Sequence, residues 1–124
     1  MPKPTISLIV PCWNEEKTVA TFFSEVSKVI RNVEANFEFL FIEDGSADNT
    51  FTELKKLADK DDRIRILRMS RNFGSFSGIA AGFEHCRGDA AIYLSADLQD
   101  SPSIIPEMIS RWQEGTDIVW AVRN

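Results

Sequence analysis

The chain is poor in cysteine, in long apolar runs and in positive charge, and each shortage excludes a class of protein. Its only cysteines are Cys12 and Cys86. Both sit in apolar or helical-looking surroundings, so no disulfide framework is expected and the chain reads as a reduced, cytoplasmic protein. No stretch approaches the roughly 18 consecutive apolar residues of a membrane span, and Met1-Pro2-Lys3-Pro4 lacks the apolar core of a secretory signal. Fourteen basic side chains stand against nineteen acidic ones, a formal charge of −5. General binding to nucleic acid, which needs clustered Lys and Arg to displace counterions, is therefore not expected. Repeats, low-complexity tracts and internal linkers are also missing. At 124 residues the chain matches one domain of the usual size, about 100–200 residues. What is present is enough apolar material for a core, 44% hydrophobic against 27% charged.

Two kinds of apolar segment alternate along the chain. Short β-branched runs occur at Ile6-Ser7-Leu8-Ile9-Val10, Phe39-Leu40-Phe41-Ile42, Ile64-Arg65-Ile66-Leu67 and Ala90-Ala91-Ile92-Tyr93-Leu94. These predict strands, the first two buried on both faces. A fifth run, Asp117-Ile118-Val119-Trp120-Ala121-Val122, predicts another. Between them lie helical patterns. Val19, Phe22, Phe23, Val26, Val29 and Ile30 recur at three and four, opposite Lys17, Glu25, Lys28 and Arg31. A second helix is expected from a capping box of Thr50 and Glu53, with Phe51, Leu54, Leu57 and Ala58 inward. A third carries Ile79, Ala80 and Phe83, and a fourth Ile104, Ile105, Met108, Ile109 and Trp112. Strict alternation of strand and helix implies an α/β, doubly wound, mostly parallel sheet with helices on both faces.

In such a sheet ligands bind outside the carboxyl ends of the strands. The segments there are polar: Pro11-Cys12-Trp13-Asn14-Glu15-Glu16, Glu43-Asp44-Gly45-Ser46, Ser70-Arg71-Asn72-Phe73-Gly74 and Ser95-Ala96-Asp97-Leu98-Gln99-Asp100. Carboxylates from three strand ends on one rim would repel unless a cation or hydrogen-bond donors stood among them. Each segment is open to a plainer reading: Asn14, Glu15 and Glu16 as helix capping, Asp44-Gly45-Ser46 as a turn, Asp97 and Asp100 as loop and cap chemistry before Pro102. The joint placement on consecutive strand ends favours a site. The spacing Gly74, Gly78, Gly82 is not a dinucleotide fingerprint and reads as close packing of helix on sheet. His85, the sole histidine, reads as a helix-end residue rather than a base.

Those four segments, with Ala47-Asp48-Asn49-Thr50 and Ser101-Pro102, resemble the family 2 glycosyltransferases, in the branch of dolichol-phosphate mannose synthases and bactoprenol glucosyltransferases. The resemblance spans essentially the whole chain. It implies a GT-A fold whose first part binds a UDP- or GDP-sugar. The positions matching Pro11, Trp13, Asn14, Glu15, Glu43, Asp44 and Ser46 line the nucleotide-sugar pocket in that family. A carboxylate there suits a ring N–H of uracil or guanine, and Trp13 offers a flat apolar wall. Of the acidic pair, Asp44 is the stronger candidate. Arg71 matches a basic position near the nucleotide, with a surface ion pair as its plainer role.

The segment Asp97-Leu98-Gln99 resembles the Asp-x-Asp-type motif that holds Mg²⁺ or Mn²⁺ on the diphosphate. The resemblance makes Asp97 the catalytic and donor-binding carboxylate and gives Asp97 and Gln99 as metal ligands. Ser95 departs from the pattern, standing where most relatives carry an Asp. A hydroxyl is a weaker ligand, so coordination is expected to rest on Asp97, Gln99, water and substrate. The segment Ser75 to Ser77 departs too, where many relatives have a polar or basic pair.

The family chemistry implied is an inverting transfer to an acceptor, here a polyprenyl phosphate, in cell-envelope glycan synthesis. Residues 1–124 are expected to form a single domain, the nucleotide-sugar-binding portion of a catalytic domain truncated at its C-terminus. The fragment alone is then expected to be poorly active or inactive, and its longer parent to work at the cytoplasmic face of the membrane. An unpaired strand edge invites self-association, so a homo-oligomer is a further expectation. The competing reading is a non-catalytic nucleotide-binding or assembly module. A phosphorelay receiver is excluded, because Pro11-Cys12-Trp13 and Ser70-Arg71 stand where it needs its acidic pair and phosphoacceptor Asp.

Overall fold

The computed structural model describes residues 2–99 and 101–119, and of Ser75 only the backbone. The chain runs β1 (Thr5–Cys12), α1 (Val19–Ile30), β2 (Asn36–Glu43), α2 (Thr50–Lys60), β3 (Ile64–Arg68), α3 (Ser75–His85), β4 (Ala90–Tyr93) and α4 (Ile104–Gln113). The four strands form one sheet in the order β3-β2-β1-β4. Every pairing is parallel, with Leu8 opposite Phe39 and Ile92, and Phe41 opposite Ile66. The expected α/β architecture is what forms. Of the fifth expected strand, Asp117 to Val119 is not in a strand and the remainder lies outside the described residues.

The alternation of side chains along β1 and β2 divides the core. Ile6, Leu8 and Val10 with Phe37, Phe39 and Phe41 point to one face and meet Phe22 and Val26 of α1, Leu54 of α2, and Ile105 and Ile109 of α4. Phe22 meets Phe41 edge-on with ring centres 6.1 Å apart, and Phe23 meets Phe39 at 4.8 Å. Each such fully buried side chain contributes roughly 1.5–3 kcal/mol. Ile9, Leu40 and Ile42 point to the other face, which α3 covers. Both central strands are thus buried on both sides, as their unbroken apolar runs require.

Helix α3 meets the sheet through glycines, as expected of Gly78 and Gly82, rather than through the apolar set Ile79, Ala80 and Phe83. Its sheet-facing residues are Gly78 and Gly82, both buried, while Ala80 is exposed and Phe83 is 53% exposed. A Cβ on Gly82 would lie 2.4 Å from Ile9 Cγ2, so only glycine lets the helix axis come this close. Helix α2 also departs in detail. It starts at Thr50, but the expected capping box does not form: Asn49 is the N-cap, Asp48 accepts the Thr50 amide at 2.9 Å, and Glu53 pairs with Lys56. A carboxylate two residues upstream satisfies the helix donor first.

The far end of α3 is fastened at the edge of the sheet opposite the strand carboxyl ends. Glu38, 8% exposed, accepts the Ser7 hydroxyl, the Arg87 amide at 2.6 Å and Arg65 Nη1 at 2.7 Å, while Ser7 Oγ accepts the Gly88 amide at 2.8 Å. Burial pushes the Glu38 carboxyl up, but these bonds outweigh it and hold it below the usual glutamate value. No described helix is long and apolar enough to cross a membrane.

Candidate functional site

Because all four strands run parallel, the segments after them share one rim, and the structure stitches the first three together. Asn14, in the left-handed region at φ +54°, donates its amide to Ser46 Oγ at 2.9 Å and accepts the Ala47 amide at 2.9 Å. The Glu15 amide donates to Thr50 Oγ1 at 2.8 Å, and the Glu15 carboxylate accepts the Thr18 hydroxyl at 2.6 Å. Glu16 and Asn49 donate their amides to Asp48 and Glu16 respectively, each at 3.3 Å. Asp48 is held below the usual aspartate range: slight burial raises it, and its bonds from Thr50 and Glu16 more than offset that. Two loops far apart in sequence thus form one wall. Asn14, Glu15 and Glu16 serve this junction, since the N-cap of α1 is Thr18.

The acidic pair after β2 divides its work. Glu43, 1% exposed, accepts the Ser46 amide at 2.6 Å and pairs with Arg68 at 3.6 Å. The Arg68 guanidinium in turn lies 3.9 Å from the centre of the Phe51 ring. Asp44, 3% exposed, turns toward the third loop and accepts the amides of Phe73 at 2.9 Å and Gly74 at 3.0 Å. Cys12, just below, is buried; desolvation first, then the charges of Glu15 and Glu43, push its thiol far up, so it stays protonated.

The surface offered to a ligand is made by other residues. Trp13 is 53% exposed beyond β1, and Pro11 is half-buried beneath it in sequence. Arg71 is exposed and stacks 4.6 Å above the ring of Phe73, and among the described residues it makes no ion pair, its plainer alternative role. Asp97 is exposed after β4, where its Oδ1 accepts the Ser95 hydroxyl at 2.7 Å and the Gln99 amide at 3.2 Å. Leu98 between them adopts φ +59°, which closes the turn. Ser95, standing where a second carboxylate was looked for, therefore orients Asp97. Asp100 lies outside the described residues.

Three residues of the quoted segments had been given no role in the site. Asp48 and Thr50 hold the first two loops together, and the Asp-x-Thr spacing at a helix start was their available signal. Phe73, 42% exposed, carries the Arg71 guanidinium; it lies in a segment that bears the family resemblance, but its aromatic contact had no signal of its own.

Among the described residues, no group of three or more His, Cys, Asp or Glu side chains is gathered as a metal cage. The donors at the 95–99 turn are oxygens, which suit a hard divalent ion completed by phosphate oxygens and water rather than a protein-only cage. A separate cavity of about 390 Å³ runs beside β4, lined by apolar side chains including Phe22, Phe83, Leu94 and Met108. It touches Ser95 and Leu98 but carries none of the rim carboxylates.

A parallel α/β sheet with a polar, carboxylate-bearing rim at its strand ends defines the class of α/β proteins that take their ligands at the carboxyl edge of the sheet. The sequence profile described as "Glycosyl transferase family 2" matches residues 7–124, and the chain belongs to that family. It is 39% identical over 118 residues to the uncharacterized glycosyltransferase YkcC of Bacillus subtilis, covering 95% of this chain and 36% of that protein. It is 40% identical over 119 residues to the bactoprenol glucosyl transferase of Shigella phage SfV, covering 96% of this chain and 39% of that one. The chain thus spans well under half the length of these relatives. Its fold matches the mannosyltransferase PcManGT of Pyrobaculum calidifontis, solved with GDP-Man and Mn²⁺, at a TM-score of 0.74 and 15% identity, over 86% of this chain and 32% of that one. The architecture is that of the GT-A fold.

Proposed function

We propose that the chain is the donor-binding portion of a glycosyltransferase that moves a sugar from a UDP- or GDP-sugar to a polyprenyl phosphate, with inversion, at the cytoplasmic face of a membrane. One observation carries this reading: on the shared rim, the exposed Trp13, Arg71 and Asp97 come from three different strand ends and offer an aromatic plane, a guanidinium and a carboxylate. These are the three chemistries that a base, a diphosphate and a phosphate-bound cation require. The likeness to a bactoprenol glucosyl transferase supports the acceptor class.

In this reading Trp13 and Pro11 wall the base, and the junction of Asn14, Glu15, Glu43 and Ser46 fixes that wall. Arg71 addresses the diphosphate or ribose. Asp97, with Gln99 beside it, would hold a Mg²⁺ or Mn²⁺ ion, which when bound would offset charge on the departing diphosphate. An acceptor phosphate oxygen forms the new bond to the anomeric carbon as the bond to the nucleoside diphosphate breaks. Being already anionic, that oxygen needs little general-base help.

Calorimetric titration with UDP, GDP, UDP-glucose and GDP-mannose, with and without Mn²⁺, tests the proposal. Binding of at least one nucleotide is expected, with a Mn²⁺-dependent part that Asp97→Ala removes. Absence of any binding would overturn the reading. Metal-independent binding without sugar transfer by a full-length relative carrying this segment would favour the non-catalytic module.

A further inference from the structure

Asp44 directly follows β2, yet its bonding partners lie just ahead of a different element, α3. Its two oxygens take one amide each, from Phe73 at 2.9 Å and from Gly74 at 3.0 Å. Gly74 is the N-cap of α3, adopts φ +93°, and brings no side chain of its own to the helix start. The carboxylate that follows β2 thus ties down the backbone just ahead of α3, sharing the Gly74 amide with Asn72 Oδ1 at 3.1 Å. The adjacent residue reinforces the contact. Gly45 has φ +70°, and a Cβ there would sit 2.4 Å from the Asn72 amide nitrogen and 2.5 Å from the Arg71 carbonyl carbon. Asp44 and Gly45 therefore grip the loop from residue 71 to residue 74 along its whole length.

What that loop carries outward is the Arg71 guanidinium stacked on Phe73, both exposed. We propose that Asp44 is a positioning residue of the donor site: its carboxylate fixes the Phe73–Gly74 backbone so that Arg71 stands over the rim, and it does not read the nucleotide base. The inference rests on the donor-site reading above. At 3% exposure Asp44 offers a ligand almost no surface. The carboxylate also places a negative charge just ahead of the first turn of α3, beside the Arg71 guanidinium that the loop carries.

The test compares the parent with Asp44→Asn by calorimetry with UDP and GDP, and by hydrogen exchange at the Phe73 and Gly74 amides. The Asn side chain opposes one amide with its own NH₂, so one bond of the latch is lost. Exchange at one or both amides is expected to accelerate at least about tenfold, and the affinities for UDP and GDP to fall by one common factor of about ten, their ratio unchanged within about twofold. If Asp44→Asn does not fold, Gly45→Ala disturbs the same loop without touching the carboxylate and is expected to give the same parallel loss. Two results overturn the proposal alone: unchanged protection of both amides, or a change of the UDP to GDP ratio beyond about fivefold. A parent that binds neither nucleotide overturns the donor-site reading, and this proposal with it.

Discussion

Gly82 of α3 and Ile9 of β1 approach so closely that a methyl group on the glycine would lie 2.4 Å from Ile9 Cγ2. Ile9 is fully buried and β-branched, so its Cγ2 has little room to swing aside. Gly82→Ala is expected to destabilise by about 1–3 kcal/mol, the usual cost of overpacking. Gly78 has nearest neighbours at 3.4 Å and 3.8 Å, so Gly78→Ala is expected to be neutral or to stabilise by up to about 1 kcal/mol through helix propensity. Urea denaturation of the two variants checks the contrast, and equal losses would refute it.

Glu38 makes stability depend on acid. Its folded carboxyl is held below the ordinary value of 4.5, so the unfolded chain takes up the proton first as pH falls. The stabilisation is fully present above that value and disappears as pH drops through the depressed folded one. Glu38→Gln is expected to lower stability at neutral pH by on the order of 1–3 kcal/mol and to flatten its decline between about pH 5 and pH 3. Denaturation midpoints across that range measure it.

The two thiols are expected to react at different rates. Cys12 is buried and its thiol is pushed up, whereas Cys86 is half-buried and donates to the Phe83 carbonyl at 3.3 Å. A chromogenic disulfide reagent should modify Cys86 in the native protein and Cys12 only after unfolding. Mass mapping of the first labelled peptide decides it.

Trp13 is the aromatic wall of the proposed donor site and half of its surface faces solvent. Trp13→Ala is expected to weaken nucleotide binding by about 1–3 kcal/mol, the range for loss of one stacked base, with little change in thermal midpoint because the ring is 53% exposed. Undiminished affinity in the titration would place the base elsewhere.

The candidate site was legible in outline. Trp13, Arg71 and Asp97 stand exposed on the rim where strand alternation placed them, because a parallel sheet brings all its carboxyl ends to one edge. The roles of the neighbours were not legible. Glu43 and Asp44 are adjacent in sequence, yet one pairs with Arg68 and the other holds the Phe73 and Gly74 amides ahead of α3. Successive side chains leaving a strand point to opposite sides, and which partner waits on each side depends on strand order.

By itself the sequence determined the elements, the parallel α/β class and the family motifs, because periodicity, Gly placement and polar strand ends are local properties of the chain. Tertiary structure alone decided that α3 turns Phe76 and Phe83 outward, and that Asn14, Asp48 and Asp44 bind loops rather than sit free. Those outcomes depend on the distance between a helix axis and a sheet, and between loops more than thirty residues apart or nearly so, which no local pattern encodes.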